Sequence, residues 1–294
     1  MANRASFLCL SLIACSVSLH GCASLPKATK VESFGASVES GMAVLEKIAA
    51  TNRQLAFTIG EEDQANKYAT GQDFSLDDVP DRFFDPKRIS IRHQALSALR
   101  SYGAALKLAA DGKTIQDLES ASIRLGEAAG KIMSAASPAS APIIGPATKV
   151  VARGIGFALG NAYAAEIQSV ITARDPDVKI VVQLLKEDLG VIVPALQLQF
   201  DDLEIQRKLT LVNIRSDRRV DRLHLYAEYE AARKELDTLK VQVAAANSYE
   251  DVLDAIVEAH GDLAKGEPDA AGSVARLVAL TNDVTDLVAA TEED

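Results

Sequence analysis

The chain has 294 residues, of which 48% are hydrophobic but only 5% aromatic, and tryptophan is absent. That length is enough to bury a core, and a core supplied mainly by Ala, Leu and Val favours helices over sheets. The net charge of −10 argues against a nucleic-acid partner, which requires a basic face, and against attraction to anionic lipid through surface charge. All three cysteines, Cys9, Cys15 and Cys22, lie at the N-terminus, so the rest of the chain has no disulfide framework, thiol redox chemistry or cysteine nucleophile.

The first charge is Arg4, and residues 7–17 are almost all apolar or small. A basic start, a short apolar run and small residues before a cut describe a secretory signal, and the run falls short of the ~20 residues needed to span a bilayer. Leu19-His20-Gly21-Cys22 resembles the lipobox of bacterial lipoproteins, with His20 where a small or aliphatic residue is usual. The resemblance implies removal of residues 1–21, a diacylglycerol on the Cys22 thiol and acylation of the new amino terminus. Two or three acyl chains, at ~0.8 kcal/mol per buried methylene, hold a protein on a membrane. Ala23 after the cysteine, in place of aspartate, resembles the outer-membrane sorting signal of enteric-type bacteria. The expected location is therefore the cell envelope, facing the periplasm, with residues 22–30 as a lipidated tether.

From there the chain reads as successive amphipathic helices. Val31, Phe34, Val38, Gly41, Leu45, Ile48, Asn52, Leu55 and Ile59 alternate steps of three and four, one narrow apolar stripe. Gly41 and Asn52 interrupt it, as close-packing or register-setting positions or, on the favoured reading, as tolerated weak spots in a core stripe. A polar loop is expected over residues 60–89, with Gly71, Pro80, Pro86 and the acids Asp77, Asp78, Asp81 and Asp85. Those acids lack EF-hand spacing and its central glycine, so no metal site is assigned. Phe74, Phe83 and Phe84 are expected to pin the loop, and its length makes it a candidate partner surface.

Ile91, Ala95, Leu99, Tyr102, Leu106 and Ala109 form the next stripe, stopped at Asp111-Gly112 by a glycine suited to a C-terminal cap. Thr114 and Asp117 then read as N-cap and first-turn acid of a helix through Ile115, Leu118, Leu125, Ala129 and Ile132, antiparallel to its predecessor across the short turn. Pro138, Pro142 and Pro146 mark an Ala/Ser/Pro-rich break over residues 134–147. Residues 143–165 are apolar and glycine-rich, with Gly156 and Gly160 at GxxxG spacing. That segment suits either a buried helix or a bilayer-inserting hairpin like those of α-helical pore-forming toxins. Lys149 and Arg153 inside it, each costing at least ~2.5 kcal/mol near mid-bilayer, favour the buried helix.

Asp175-Pro176 is expected to cap and restart a helix, one that runs on, kinked, across Gly190 and Pro194. A long charged helix should follow from about Ser216 to Ala246, with Tyr229, Ala232, Leu236, Leu239 and Val243 in heptad spacing, and residues 202–246, if helical throughout, would make a rod of roughly 65 to 70 Å. Arg215, Arg218, Arg219 and Arg222 are its one basic concentration, read as a solvated face or as a site for an acidic partner. Asn247-Ser248 is expected to cap a helix from Tyr249 to Gly266, and Glu267-Pro268-Asp269 to open the last. The fold class is all-α, an elongated multi-helix bundle with long heptad-patterned helices, forming one domain over residues 31–294.

Catalysis finds little support. His93, His224 and His260 stand far apart in sequence, and Asp221 with His224 is half of a di-iron pattern whose companions are absent. No catalytic or phosphate-binding motif is present, and no cofactor or metal is expected. The sequence reads as a membrane-anchored scaffold or adaptor of the envelope, binding another envelope protein or itself. The alternatives are a pore-forming-toxin-like protein using residues 143–165, and a lipid or small-ligand carrier with a cavity between helices.

Overall fold

The apolar stripe that begins at Val31 buries one face of α1 (Ala28–Ala69), the first of six helices in the computed structural model of the protein. The structure describes residues 27–76, 86–113, 115–136, 160–267 and 270–290. Within them follow α2 (Pro86–Ala110), α3 (Ile115–Ala136), α4 (Gly160–Ser216), α5 (Arg222–Lys265) and α6 (Ala270–Ala289), with no strand among the described residues. One contiguous apolar core draws on all six, an all-α bundle as the composition implies. At 1.5 Å per residue, α4 alone is about 85 Å long.

α1 with α2 and α4 with α5 pack as antiparallel pairs. α2 returns along α1, tied by Arg100 to Glu46 at 2.6 Å and Lys107 to Glu39 at 3.2 Å. The expected stop at Gly112 is present. Its φ is +75°, and the Gly112 and Lys113 N–H groups donate to the carbonyls of Ala109 and Leu108, satisfying the end of α2. Gly266 closes α5 in the same way with φ +68°. α4 and α5 form a long antiparallel hairpin, with Lys186 of α4 against Glu250 and Asp254 of α5.

Five sequence expectations are corrected. The loop expected over residues 60–89 is helical in α1 as far as Ala69 and again from Pro86. Glu61, Glu62, Gln64, Ala65 and Lys67 are good helix formers, and Glu62 and Asn66 have polar partners on α4. No new helix starts at Asp175-Pro176. α4 passes through Pro176 and Pro194, both exposed, because Ile167, Val170, Ile171, Val178, Val181 and Val182 form one buried stripe across the first of them. Burying that stripe outweighs the ~3 kcal/mol that an interior proline costs.

The rod expected over residues 202–246 is broken instead at residues 217–221. There Asp221 accepts the N–H groups of Leu223 and His224 at 2.8 and 2.9 Å and so starts a separate helix. Conversely, Asn247 and Ser248 do not cap. Their side chains donate back to the carbonyls of Val243 and Ala244 within an unbroken α5.

Gly41 is no weak spot. A Cβ there would lie 3.2 Å from the Tyr249 hydroxyl, which donates to the Gly41 carbonyl. Asn52 does keep an unpartnered buried Oδ1. The closest helix approach is between α1 and α2, where a Cβ on Gly35 would fall 2.5 Å from the Gly103 carbonyl oxygen and one on Gly103 would fall 2.8 Å from Val38. Gly35→Ala or Gly103→Ala is therefore expected to cost about 1–3 kcal/mol by forcing this crossing apart. Gly190→Ala, on the exposed side of α4 with nothing within 4 Å, should stabilise by about 0.5–1 kcal/mol. Thermal melts followed by circular dichroism will show the opposite signs.

Candidate functional site

A buried polar row crosses the middle of the bundle. Tyr102 of α2 and His260 of α5 are both fully buried, their Oη and Nε2 atoms 3.1 Å apart, and His260 Nδ1 lies 3.2 Å from Asp175 Oδ1 of α4. Hydrogen bonds from His260 and then from Lys179 hold the Asp175 carboxyl down at about 2. An ionised carboxylate only accepts, so Nδ1 carries the imidazole proton and Nε2 accepts from the Tyr102 hydroxyl. Burial keeps that hydroxyl protonated. It also lowers the His260 pKa, outweighing the attraction of Asp175. In this packing neither ring has an open face for a substrate, and the row joins α2, α4 and α5.

At the far end of the bundle a second polar contact joins α1, α4 and α5. Arg207 donates to both carboxylate oxygens of Glu235, at 2.7 and 3.0 Å, and to Glu62 at 2.9 Å, while Thr210 donates to Glu62 and Asn66 donates to Gln206. The bidentate geometry and partial burial make this a fixed contact, unlike an ordinary surface pair.

The four arginines singled out by sequence lie at the turn just beyond. Arg215 is in the last turn of α4, where a cation complements the helix dipole, Arg218 and Arg219 are on the turn, and Arg222 begins α5. Arg219 pairs with Asp217 at 2.7 Å, holding that carboxyl down at about 2. All four arginines are exposed, so the turn is a basic cap on the end of the hairpin. Cys22, the acidic set Asp77, Asp78, Asp81 and Asp85, the Thr114 cap and residues 143–159 lie outside the described residues. In the described residues just before that set in sequence, Phe74 meets the Tyr68 ring edge-on at 4.9 Å and the Ser75 N–H donates to Gln64.

Two surfaces remain. Along α4, Val191, Leu198, Ile205, Leu209 and Val212 face solvent, and on α5 so do Leu223, Tyr226 and Tyr229. Between α1, α2 and α4 lies a cleft of about 540 Å³, floored by Leu45, Leu96, Leu185 and Ile192, with the Arg92–Asp188 ion pair at its edge. Burial raises the Asp188 pKa despite that partner. No group of side chains among the described residues is placed to hold a metal ion, and no described helix is long and apolar enough to cross a membrane. No protein-family model, characterised protein or solved structure matches the chain.

Sequence reasoning treated His260 as isolated. The signal was present, because Ile256, Ala259 and Leu263 place it on a core face, but its partners lie 85 and 158 residues away. The row has a consequence in acid. Below the ordinary histidine value of 6.5 an unfolded chain protonates this imidazole more readily than the folded one, so stability falls as pH drops. A second loss begins below 3.8, where unfolded Asp175 takes a proton that the folded carboxyl refuses down to about 2. Urea titrations should show the first loss, a fall in unfolding free energy between pH 7 and 5.5, in the wild type and not in His260→Gln.

Proposed function

We propose that the protein is a membrane-anchored extracytoplasmic lipoprotein that acts as a scaffold or adaptor in the cell envelope, held through acyl chains on Cys22 and facing the periplasm from the outer membrane. The observation that carries the reading is the apolar stripe on α4, which leaves the far part of the hairpin covered on one side and bare on the other. α1 runs in the same direction as α4, since Glu62 lies beside Arg207 and Leu45 beside Leu185. An N-terminal tether therefore holds the end opposite the arginine turn, and the bare stripe and basic cap reach away from the anchor. Surfaces of this kind suit holding a partner.

The cleft between α1, α2 and α4 favours a second reading, a carrier of lipid or another small apolar ligand. Its volume is within the range of small-molecule sites. Its edge cation Arg92 is already paired with Asp188, which leaves the scaffold the stronger reading. Lipid co-purifying with the wild type and lost in Leu185→Arg, seen by native mass spectrometry, would support the carrier.

For the scaffold, Cys22→Ala is expected to move the protein from the membrane to the soluble fraction and to remove its cross-linked envelope partners in a pull-down. A Cys22→Ala protein that stays on the membrane with the same partners overturns the anchored reading.

A further inference from the structure

Val191, Leu198, Ile205, Leu209 and Val212 are between 49% and 71% exposed and follow one another at steps of seven, seven, four and three residues. With half-buried Ala195 they have the a and d spacing of a two-stranded coiled coil. The stripe occupies the side of α4 turned away from Leu196 and Leu203, which are buried in the chain's own core. We infer that this face joins two copies of the chain through an antiparallel coiled coil of α4 with α4. The inference names a partner for the surface on which the scaffold reading rests.

Charge selects both the occupant and its direction. In a two-fold antiparallel pair, Ala195 of one copy meets Val212 of the other, Leu198 meets Leu209, and Asp202 meets Ile205. The flanking Asp201 of each copy then lies beside Lys208 of the other, so opposite charges face one another twice by symmetry. Asp201 and Lys208 are both exposed, Asp201 also accepting from the Gln197 side chain one turn back at 3.0 Å. A parallel pair places Asp202 against Asp202 within one apolar layer, and sets Asp201 and Lys208 beside the neutral Gln206 and Asn213. The stripe is thus complementary to itself in one direction only. Because α1 and α4 run in the same direction, the antiparallel pair sends its two N-termini to opposite ends, and two acyl anchors reach one membrane only with the rod lying along it.

The full chain purified in mild detergent is expected to sediment as a dimer. Ile205→Glu should raise the dimer dissociation constant by at least about a hundredfold with the helical circular dichroism unchanged, while Leu223→Glu on α5 leaves it unaltered. Asp201→Lys or Lys208→Asp alone should weaken the dimer about three- to tenfold, and the double variant should recover to within about twofold. The chain beyond residue 22 has no cysteine of its own, so introduced thiols report the direction. A Val191→Cys chain should form disulfides with a Ser216→Cys chain and not with itself.

A monomer at concentrations up to about 100 µM, a dimer indifferent to Ile205→Glu, or Val191→Cys pairing with itself overturns the inference. A photo-cross-linker at position 205 that captures a different envelope protein and never a second copy also overturns it, while the scaffold reading stands. A dimer formed by a chain that carries no lipid at Cys22 leaves the inference standing and removes the anchored reading.

Discussion

The structure depends on the row Tyr102–His260–Asp175, because a core of alanine, valine and leucine does not by itself say where helices sit along one another. Apolar burial is proportional to area and has little direction, and a stripe repeated every three or four residues packs nearly as well one turn up or down. A hydrogen bond between fully buried partners has a short range and a definite angle. Sliding α5 by one turn against α4 carries His260 about 5.4 Å away and leaves a buried imidazole and a buried hydroxyl unpaired, each at a cost of several kcal/mol, while the part-exposed Asp175 keeps only Lys179 of its own helix. The three hydrogen-bonding groups thereby tie α2, α4 and α5 into one register.

Two further contacts extend that register along the bundle. Near the start of α4, Gln168 donates to the carbonyls of Leu263 and Ala264 and Thr172 donates to that of Ala264, so α4 satisfies groups that the end of α5 leaves open. At the far end Arg207 holds Glu62 and Glu235 together. Between these points the helices pack on small side chains, closely enough at Gly35 and Gly103 for backbones to touch. Distances along the hairpin are set by polar contacts, and the apolar core fills the space that they define. A hairpin held stiff in this way can present a half-covered face without that face collapsing inward, which is what a binding arm requires.

Much of this was legible in the chain. The helical class follows from composition and from stripes such as Val31-Phe34-Val38, and the stop at Gly112 follows from the need for a left-handed residue. The ends of other elements were misjudged wherever a local signal competed with packing. Pro176 and Asn247-Ser248 are strong local punctuation, yet each lies within a buried stripe whose continuity decides the helix. The reverse error occurred at Asp217 and Asp221, ordinary acids within a helical pattern whose side chains bind the backbone and turn it. The arginine cluster was visible as charge, but its position on the end of a hairpin depends on that turn. The exposed stripe on α4 is not legible in the sequence, which shows that a helix has apolar positions and not which of two faces its own chain covers.

By itself, the sequence determined that the chain is helical, acidic and free of cysteine past Cys22, since these follow from residue type and short-range periodicity. Only the tertiary structure decided that His260 is a core hydrogen-bonding residue, that residues 202–246 fold back as a hairpin, and that Leu198, Ile205 and Val212 stay bare while Leu196 and Leu203 are covered. The physical reason is the same in each case. Burial and hydrogen-bond partnership are properties of pairs of residues, here separated by as many as 158 positions, and nothing local to either residue records where the other comes to rest.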